Sequence, residues 1–259
     1  MSVVLATTVH DPGGRMLEQT ARALPILREI FASIAAQVTH ASSDTTLALL
    51  HEAGALIRQD PAERFAGYMK LGRPRRESVE LALQCEQLLI MFCDFDRVIH
   101  WADVYPDELA ATAARLPEQD FTVMGRTPRA FASHPRVQRD TESIVNHVFA
   151  MTRGKPWDIT AAARGLSRRA AKAILAGCPD ESIGTDASWP LFVQQAGGFS
   201  MGYLATEGLE FETADRFGDE VAAAGGMAQW IARMDADPRN WAQRLEMAQL
   251  SVQAMLPYV

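Results

Sequence analysis

The chain alternates short apolar runs with longer stretches of helical period from its first residues. Residues 3–7, Val-Val-Leu-Ala-Thr, are apolar and β-branched and run into the turn cluster Asp11-Pro12-Gly13-Gly14. Met16, Ala23, Leu27, Ile30, Phe31 and Ile34 then recur at helical spacing. A short strand over 36–39 stops at Ala41-Ser42-Ser43-Asp44, where Ser43 or Asp44 is placed to cap a helix through Thr46, Leu49, Leu50 and Ala53. A third strand follows at 55–57, a helix at 76–86, and a buried strand at 88–93 ending in Asp94.

The second half is less regular. Helices are expected at 107–116, 137–151 and 167–176, the last opened by a serine cap. Residues 121–124 read as a strand running into Gly125-Arg126, and 201–204 as a last strand. Thr185 is placed to cap a helix over 189–196, with Pro190 in its first turn. From 214 to 256 the chain reads as helical, with breaks at Gly225-Gly226 and Asp237-Pro238. Met227, Trp230, Ile231 and Met234 fall on one face there, an intramolecular apolar face with a homodimer contact as the alternative.

Strand and helix in alternation predict an α/β fold, a mostly parallel central sheet with helices on both faces. In such sheets ligands bind beyond the carboxyl ends of the strands. The polar residues just after the apolar runs are therefore the ones to weigh: 7–11, 42–44 and 94–96.

Composition narrows the classes. The 259 residues are 48% hydrophobic and 22% charged, as in ordinary globular chains. A net charge of −7 makes the surface a poor partner for nucleic acid or anionic membrane. Three cysteines without a CxxC pair suit a reducing compartment, so a cytoplasmic location is expected. No apolar run reaches transmembrane length, and the N-terminus has no basic leader. The six histidines form no zinc pattern, and no G-x-S-x-G elbow is present.

Four segments carry candidate chemistry. Cys93-Asp94-Phe95-Asp96-Arg97 places two carboxylates straight after an apolar strand. Such a D-x-D can hold Mn2+ or Mg2+ against a diphosphate, or simply cap the next helix. Asp11-Pro12-Gly13-Gly14-Arg15 is a strand-to-helix turn able to offer backbone N–H groups to an anion, or an ordinary βα turn. Arg73-Pro74-Arg75-Arg76 offers guanidinium groups to phosphate, or a solvated loop. Asp186 sits at a helix start, where it serves as a cap or as a general base.

In this order, these pieces resemble the glycosyltransferases of the GT-A fold, over roughly residues 2–210. The resemblance implies a nucleoside-diphosphate-sugar donor and a divalent metal, Mn2+ or Mg2+. It implies that Thr7 and Asp11 line the base and ribose pocket and that Asp44 holds the nucleoside. Arg75 or Arg76 would approach the diphosphate. Asp94 and Asp96 would bind ribose and metal, Asp186 would be the catalytic base, and residues 158–168 would lie near the acceptor. It divides the chain into a transferase domain, 1–213, and packed C-terminal helices, 214–259. The chain departs from the family's pattern in four places: Ser43-Asp44 stands where a D-D pair is common, Arg97 follows the D-x-D, no histidine follows His147, and the Q-x-x-R-W motif of processive polymerases is missing. A nucleotidyltransferase of similar fold and a non-catalytic binding protein are the alternative readings.

Overall fold

The computed structural model describes residues 2–61, 67–153 and 155–259. Within them one sheet is built from β1 (Val3–Val9), β2 (Ser33–Val38), β3 (Leu56–Gln59), β4 (Leu89–Cys93), β5 (Phe121–Arg126), β6 (Ala163–Ser167) and β7 (Met201–Thr206). Their spatial order is β3-β2-β1-β4-β6-β5-β7. β6 runs antiparallel to β4 and β5, and every other pairing is parallel.

Both faces are covered, which explains why the central strands read as continuous apolar runs. Along β1 the side chains alternate. Val3, Leu5 and Val9 join a core with α1 (Leu17–Ile30) and α4 (Phe95–Val104), and Val4 and Ala6 join the core on the other face. That second core is closed by α3 (Gly72–Ala82), α7 (Arg136–Arg153), α8 (Arg168–Gly177), α9 (Thr185–Ala196) and α12 (Pro238–Gln253). The remaining helices are α2 (Asp44–Glu52), α5 (Pro106–Arg115), α6 (Pro128–Ala132), α10 (Gly218–Ala224) and α11 (Met227–Ala236).

The expected mostly parallel α/β sheet is present, with corrections in detail. β6 is an additional strand that the apolar pattern does not reveal. Its sequence, Ala-Arg-Gly-Leu-Ser, has weak strand propensity. Pairing on both sides supplies the backbone bonds, and Gly165 lets Leu116 approach to where a Cβ would lie 2.4 Å from Leu116 Cδ2. The first helix ends at Ile30, so Ile34 belongs to β2. The helix expected at 76–86 begins one turn earlier, at Gly72. Gly184, not Thr185, holds the cap position of α9, and Pro190 lies inside that helix rather than in its first turn.

Pro190 has a consequence for the site. A proline inside a helix has no N–H to give to the carbonyl four residues back. That carbonyl belongs to Asp186, and it accepts from Arg164 Nη2 at 2.9 Å instead. The helix interruption thus becomes the anchor for a buried arginine from β6.

The C-terminal breaks fall where expected. Gly225 and Gly226 take φ of +92° and +114°, and the Asp237 carboxylate accepts from Arg239 N at the start of α12. Trp230, Ile231 and Met234 pack with Phe211, Ala214 and Phe217 in a small separate core, and Met227 is exposed. No described helix is long and apolar enough to cross a membrane.

Candidate functional site

The site is built around the carboxyl end of β4. Asp94 follows that strand with extended backbone angles and stands at the cap position of α4, yet its carboxylate does not cap the helix. It turns instead to the sheet and to α3. Thr8 donates its hydroxyl to Oδ1 at 2.9 Å, and Arg75 donates from Nη2 to Oδ2 at 2.7 Å.

Arg75 comes from the first turn and a half of α3, and its side chain is 4% exposed. Its other terminal nitrogen reaches Asp186 Oδ2 at 3.2 Å. Asp186 takes Arg164 Nη2 on Oδ1, also at 3.2 Å. The result is an alternating buried chain, Asp94–Arg75–Asp186–Arg164, drawn from β4, α3, α9 and β6. Burial works against the Arg75 charge, and Asp94 and Asp186 more than offset it, so its pKa is raised. For Arg164 burial prevails over Asp186 and the pKa is lowered.

Asp94, Arg75 and Asp186 of this chain line one wall of a cavity of about 300 Å3, and Arg164 stands behind them. The other wall is α12, through Gln243, Arg244, Met247, Ala248 and Ser251. Gln243 donates to the Tyr68 hydroxyl and closes the gap between them. Four arginines and five carboxylates line the space, Arg75, Arg97, Arg216 and Arg244 among Asp94, Asp96, Glu142, Asp186 and Glu212.

Asp96, two residues beyond Asp94 in the first turn of α4, points to a different partner. Its Oδ2 pairs with Arg216 Nη2 at 3.2 Å. Burial pushes the Asp96 carboxyl up and Arg216 pulls it back, leaving a net rise. Next to it Arg97 lies 3.8 Å from Glu212. Burial would raise the Glu212 carboxyl, but Arg97, followed by His134 and Arg216, holds it down to about 2.

Beyond Arg216 lies a second cavity of about 460 Å3, at the carboxyl end of β1. His10, Asp11, Pro12, Arg15, Arg216 and Phe217 line it. Asp11 is buried and holds the turn together: Oδ1 accepts from Met16 N at 3.2 Å and Oδ2 from the Thr46 hydroxyl at 2.7 Å. Burial, then Arg216, lowers the pKa of His10.

The structure thus brings Arg75, Asp94, Asp96 and Asp186 together, with Asp11 nearby at the outer cavity. It does not bring in the other expected residues. Thr7 points into the α1–α4 core, because side chains alternate along a strand; its neighbour Thr8 is the residue that meets Asp94. Asp44 is exposed in the first turn of α2, Ser43 makes the cap bond, and Asp44 lines neither cavity. Arg76 turns away and donates to the carbonyls of Leu175 and Cys178 at the end of α8. Arg97, Glu142, Glu212, Arg216 and Arg244 are site residues that were not anticipated as such, and Arg164 falls within 158–168, the segment expected near the acceptor.

The donor set does not fit the expected Mn2+ or Mg2+ as placed. Each Asp94 oxygen already accepts from Thr8 or Arg75, and Asp96 is paired with a guanidinium. A divalent ion there would face these cations at short range in a partly desolvated pocket. Among the described residues no group of three or more His, Cys, Asp and Glu side chains is arranged to hold a metal ion.

No protein-family model matches this chain, and no curated protein matches it in sequence. Solved structures of glucosyl-3-phosphoglycerate synthase from Mycobacterium tuberculosis are similar in fold. The complex with phosphoglyceric acid gives a TM-score of 0.57 at 12% identity, covering 96% of this chain and 80% of that one. The complex with Mn2+, UDP-glucose and phosphoglyceric acid gives 0.55 at 12% identity, covering 88% and 79%. The complex with Mg2+ and UDP gives the same TM-score and identity over 88% and 79%. The fold of this chain is the GT-A fold.

Proposed function

We propose that this protein is a glycosyltransferase that moves a sugar from a nucleoside-diphosphate donor to an acceptor hydroxyl. The observation that carries the reading is the pair of cavities meeting at Arg216, one at the end of β1 and one at the end of β4. A nucleoside-diphosphate sugar is itself bipartite, with an anionic link between two uncharged ends. The nucleoside is assigned to the outer cavity beside His10 and Asp11, and the glycosyl group to the inner cavity beside Asp94 and Asp186. The similar solved structures that carry UDP or UDP-glucose support this choice of donor class.

In the reaction the acceptor oxygen bonds to the anomeric carbon as the bond from that carbon to the β-phosphate oxygen breaks. The bonding pair leaves with the nucleoside diphosphate, and the acceptor proton passes to a carboxylate. Asp186 is the proposed proton acceptor. Each of its oxygens holds one arginine bond and retains capacity to accept another, and Asp186 lines the inner cavity. Arg75 and Arg164 fix its orientation, and α12 forms the opposite wall of the cavity. Thr8, Asp94 and Arg75 hold the wall on which the sugar would rest.

The test is direct. UDP-glucose and GDP-mannose are each incubated with the full chain, and release of nucleoside diphosphate is followed with and without Mn2+. Slow hydrolytic release, reduced about 100-fold or more in Asp186→Asn, is the expected result. If neither donor is turned over or bound by the folded protein, the transferase reading is overturned. Release of pyrophosphate from a nucleoside triphosphate and a sugar phosphate would instead select the nucleotidyltransferase alternative.

A further inference from the structure

We infer that Arg216 takes the place of a divalent cation in this site, binding the donor diphosphate through its guanidinium. The inference rests on the donor reading above. It starts from position. Arg216 is the residue shared by the linings of both cavities, so a group spanning them passes its side chain. The linking group of the proposed donor is the diphosphate.

The state of the side chain fits that task. Arg216 is held by one ion pair to Asp96, and its side chain is 27% exposed. Its Nε is buried and has no hydrogen-bond partner. Arg97, alongside, has a buried Nη1 with no hydrogen-bond partner and only a 3.8 Å approach to Glu212. Unmade bonds on buried guanidinium groups are costly, and phosphate oxygens are the acceptors that match their geometry.

The neighbouring chain holds Arg216 at that place. It sits in a short 3-10 turn, Thr213–Phe217, that directly precedes α10. Its guanidinium carbon is 5.8 Å from the Phe217 ring centroid, and Phe217 packs on the buried Trp230. Charge balance gives the same answer. A diphosphate approaching Asp94 and Asp96 needs positive charge between them. Here Arg75 already neutralises Asp94 and Arg216 neutralises Asp96, and exchange of Arg216 from the carboxylate to the phosphate costs no metal dehydration. Asp96 then keeps Arg97 as a nearby counter-charge.

UDP and GDP are titrated calorimetrically into the full chain in EDTA and again in Mn2+, for the native protein, Arg216→Ala and Arg216→Lys. Circular dichroism melts confirm that each variant is folded. The native affinity for the preferred diphosphate is expected to agree within about twofold in EDTA and in Mn2+. Arg216→Ala is expected to weaken it roughly ten- to a hundredfold in EDTA, the loss typical of a charge-assisted contact, with Arg216→Lys in between. Binding that appears only with Mn2+ overturns the inference and leaves the donor reading standing. Metal-free binding that Arg216→Ala leaves unchanged also overturns it. No binding of either diphosphate under any condition overturns the donor reading and this inference together.

Discussion

Two ionic clusters flank the inner cavity, and they are built differently. Around Arg126 every contact is short. Its Nε and Nη2 meet Asp158 at 2.7 and 2.8 Å, and Nη2 also lies 2.6 Å from Glu142 and 2.7 Å from Thr160. Asn146 adds a bond to Asp158 at 2.8 Å. Around Asp96 the ion pairs are few and long, 3.2 Å to Arg216 and 3.8 Å from Arg97 to Glu212, beside one backbone bond from Arg97 N to Asp96 Oδ1 at 2.9 Å. Arg126 keeps one buried nitrogen, Nη1, without a hydrogen-bond partner, but Nε and Nη2 are held by short contacts; a tightly paired network holds walls in place, and one of long contacts is where an added ligand gains the most.

The sharpest way to break this contrast is to remove one acid from each cluster. Asp158→Ala leaves Arg126, with no exposed side-chain surface, short of its main partner, and breaking such a pair typically costs about 3–5 kcal/mol. The melting temperature should fall by roughly 6–20 °C for a chain of this size. Asp96→Asn should shift stability by less than about 1 kcal/mol while weakening the site's charge balance, because its carboxylate is partly exposed, has one ion-pair partner, and an asparagine oxygen can still accept from Arg97 N. Equal destabilisation in the two variants, measured by thermal melts, would erase the distinction.

A pH series sharpens the same contrast through two histidines. His134 packs beside the tight cluster, its Nδ1 at 3.0 Å from the Ala130 carbonyl oxygen. Burial, reinforced by Arg126, pushes its pKa down to about 4. The unfolded chain therefore binds a proton near pH 6.5 that the folded chain refuses until about 4. Stability is full above 6.5 and should fall by about 3 kcal/mol as pH drops through that window. His100 has the opposite sign. Burial opposes its charge, but Asp215 and the neighbouring glutamates prevail and raise its pKa. Its contribution is complete below the unfolded value and is lost as pH rises through the folded one. Denaturation from pH 4 to 8 should therefore show the steeper loss on the acid side, and His134→Gln should flatten it. An unchanged acid limb in that variant would remove His134 as the cause.

The same physics explains what was legible in the sequence. Continuous apolar runs located β1, β2, β4 and β5, because strands buried on both faces must be apolar. It missed β6, where paired neighbours and the close-packed Gly165 override poor propensity. Polar residues after β1, β2 and β4 were weighed as site candidates, and Asp94, Asp96 and Arg75 do meet at the cavity. Applied to β7, the same rule would have marked Glu212 and Arg216, which follow that strand within ten residues. Asp186 was visible as a helix-start carboxylate, but its two arginines come from elements 111 and 22 residues away. No local pattern contains that information. Thr7 stood in for Thr8 because a one-residue shift in a strand reverses the face, and the apolar run alone does not say where the last inward residue falls.

The smallest expected effect concerns the rim of the outer cavity. Arg15 pairs with Glu220 at 3.5 Å, with both side chains more than half exposed, and its guanidinium carbon lies 4.8 Å from the Phe217 ring centroid. An exposed pair of this length contributes little, so Glu220→Gln should leave the melting free energy within about 0.5 kcal/mol. Its electrostatic effect is more easily read in binding. Removing the carboxylate frees Arg15 to face the cavity that Arg216 also lines, and a diphosphate should bind about twofold tighter at low salt. Screening should abolish that gain near 0.5 M salt, where the Debye length is roughly 4 Å. The loss caused by Arg216→Ala should persist at that ionic strength, since a short contact in a partly desolvated cavity is screened far less than a rim charge. Parallel salt dependence in the two variants would place Arg216 at the rim with Arg15 and take it out of the partition between the two cavities.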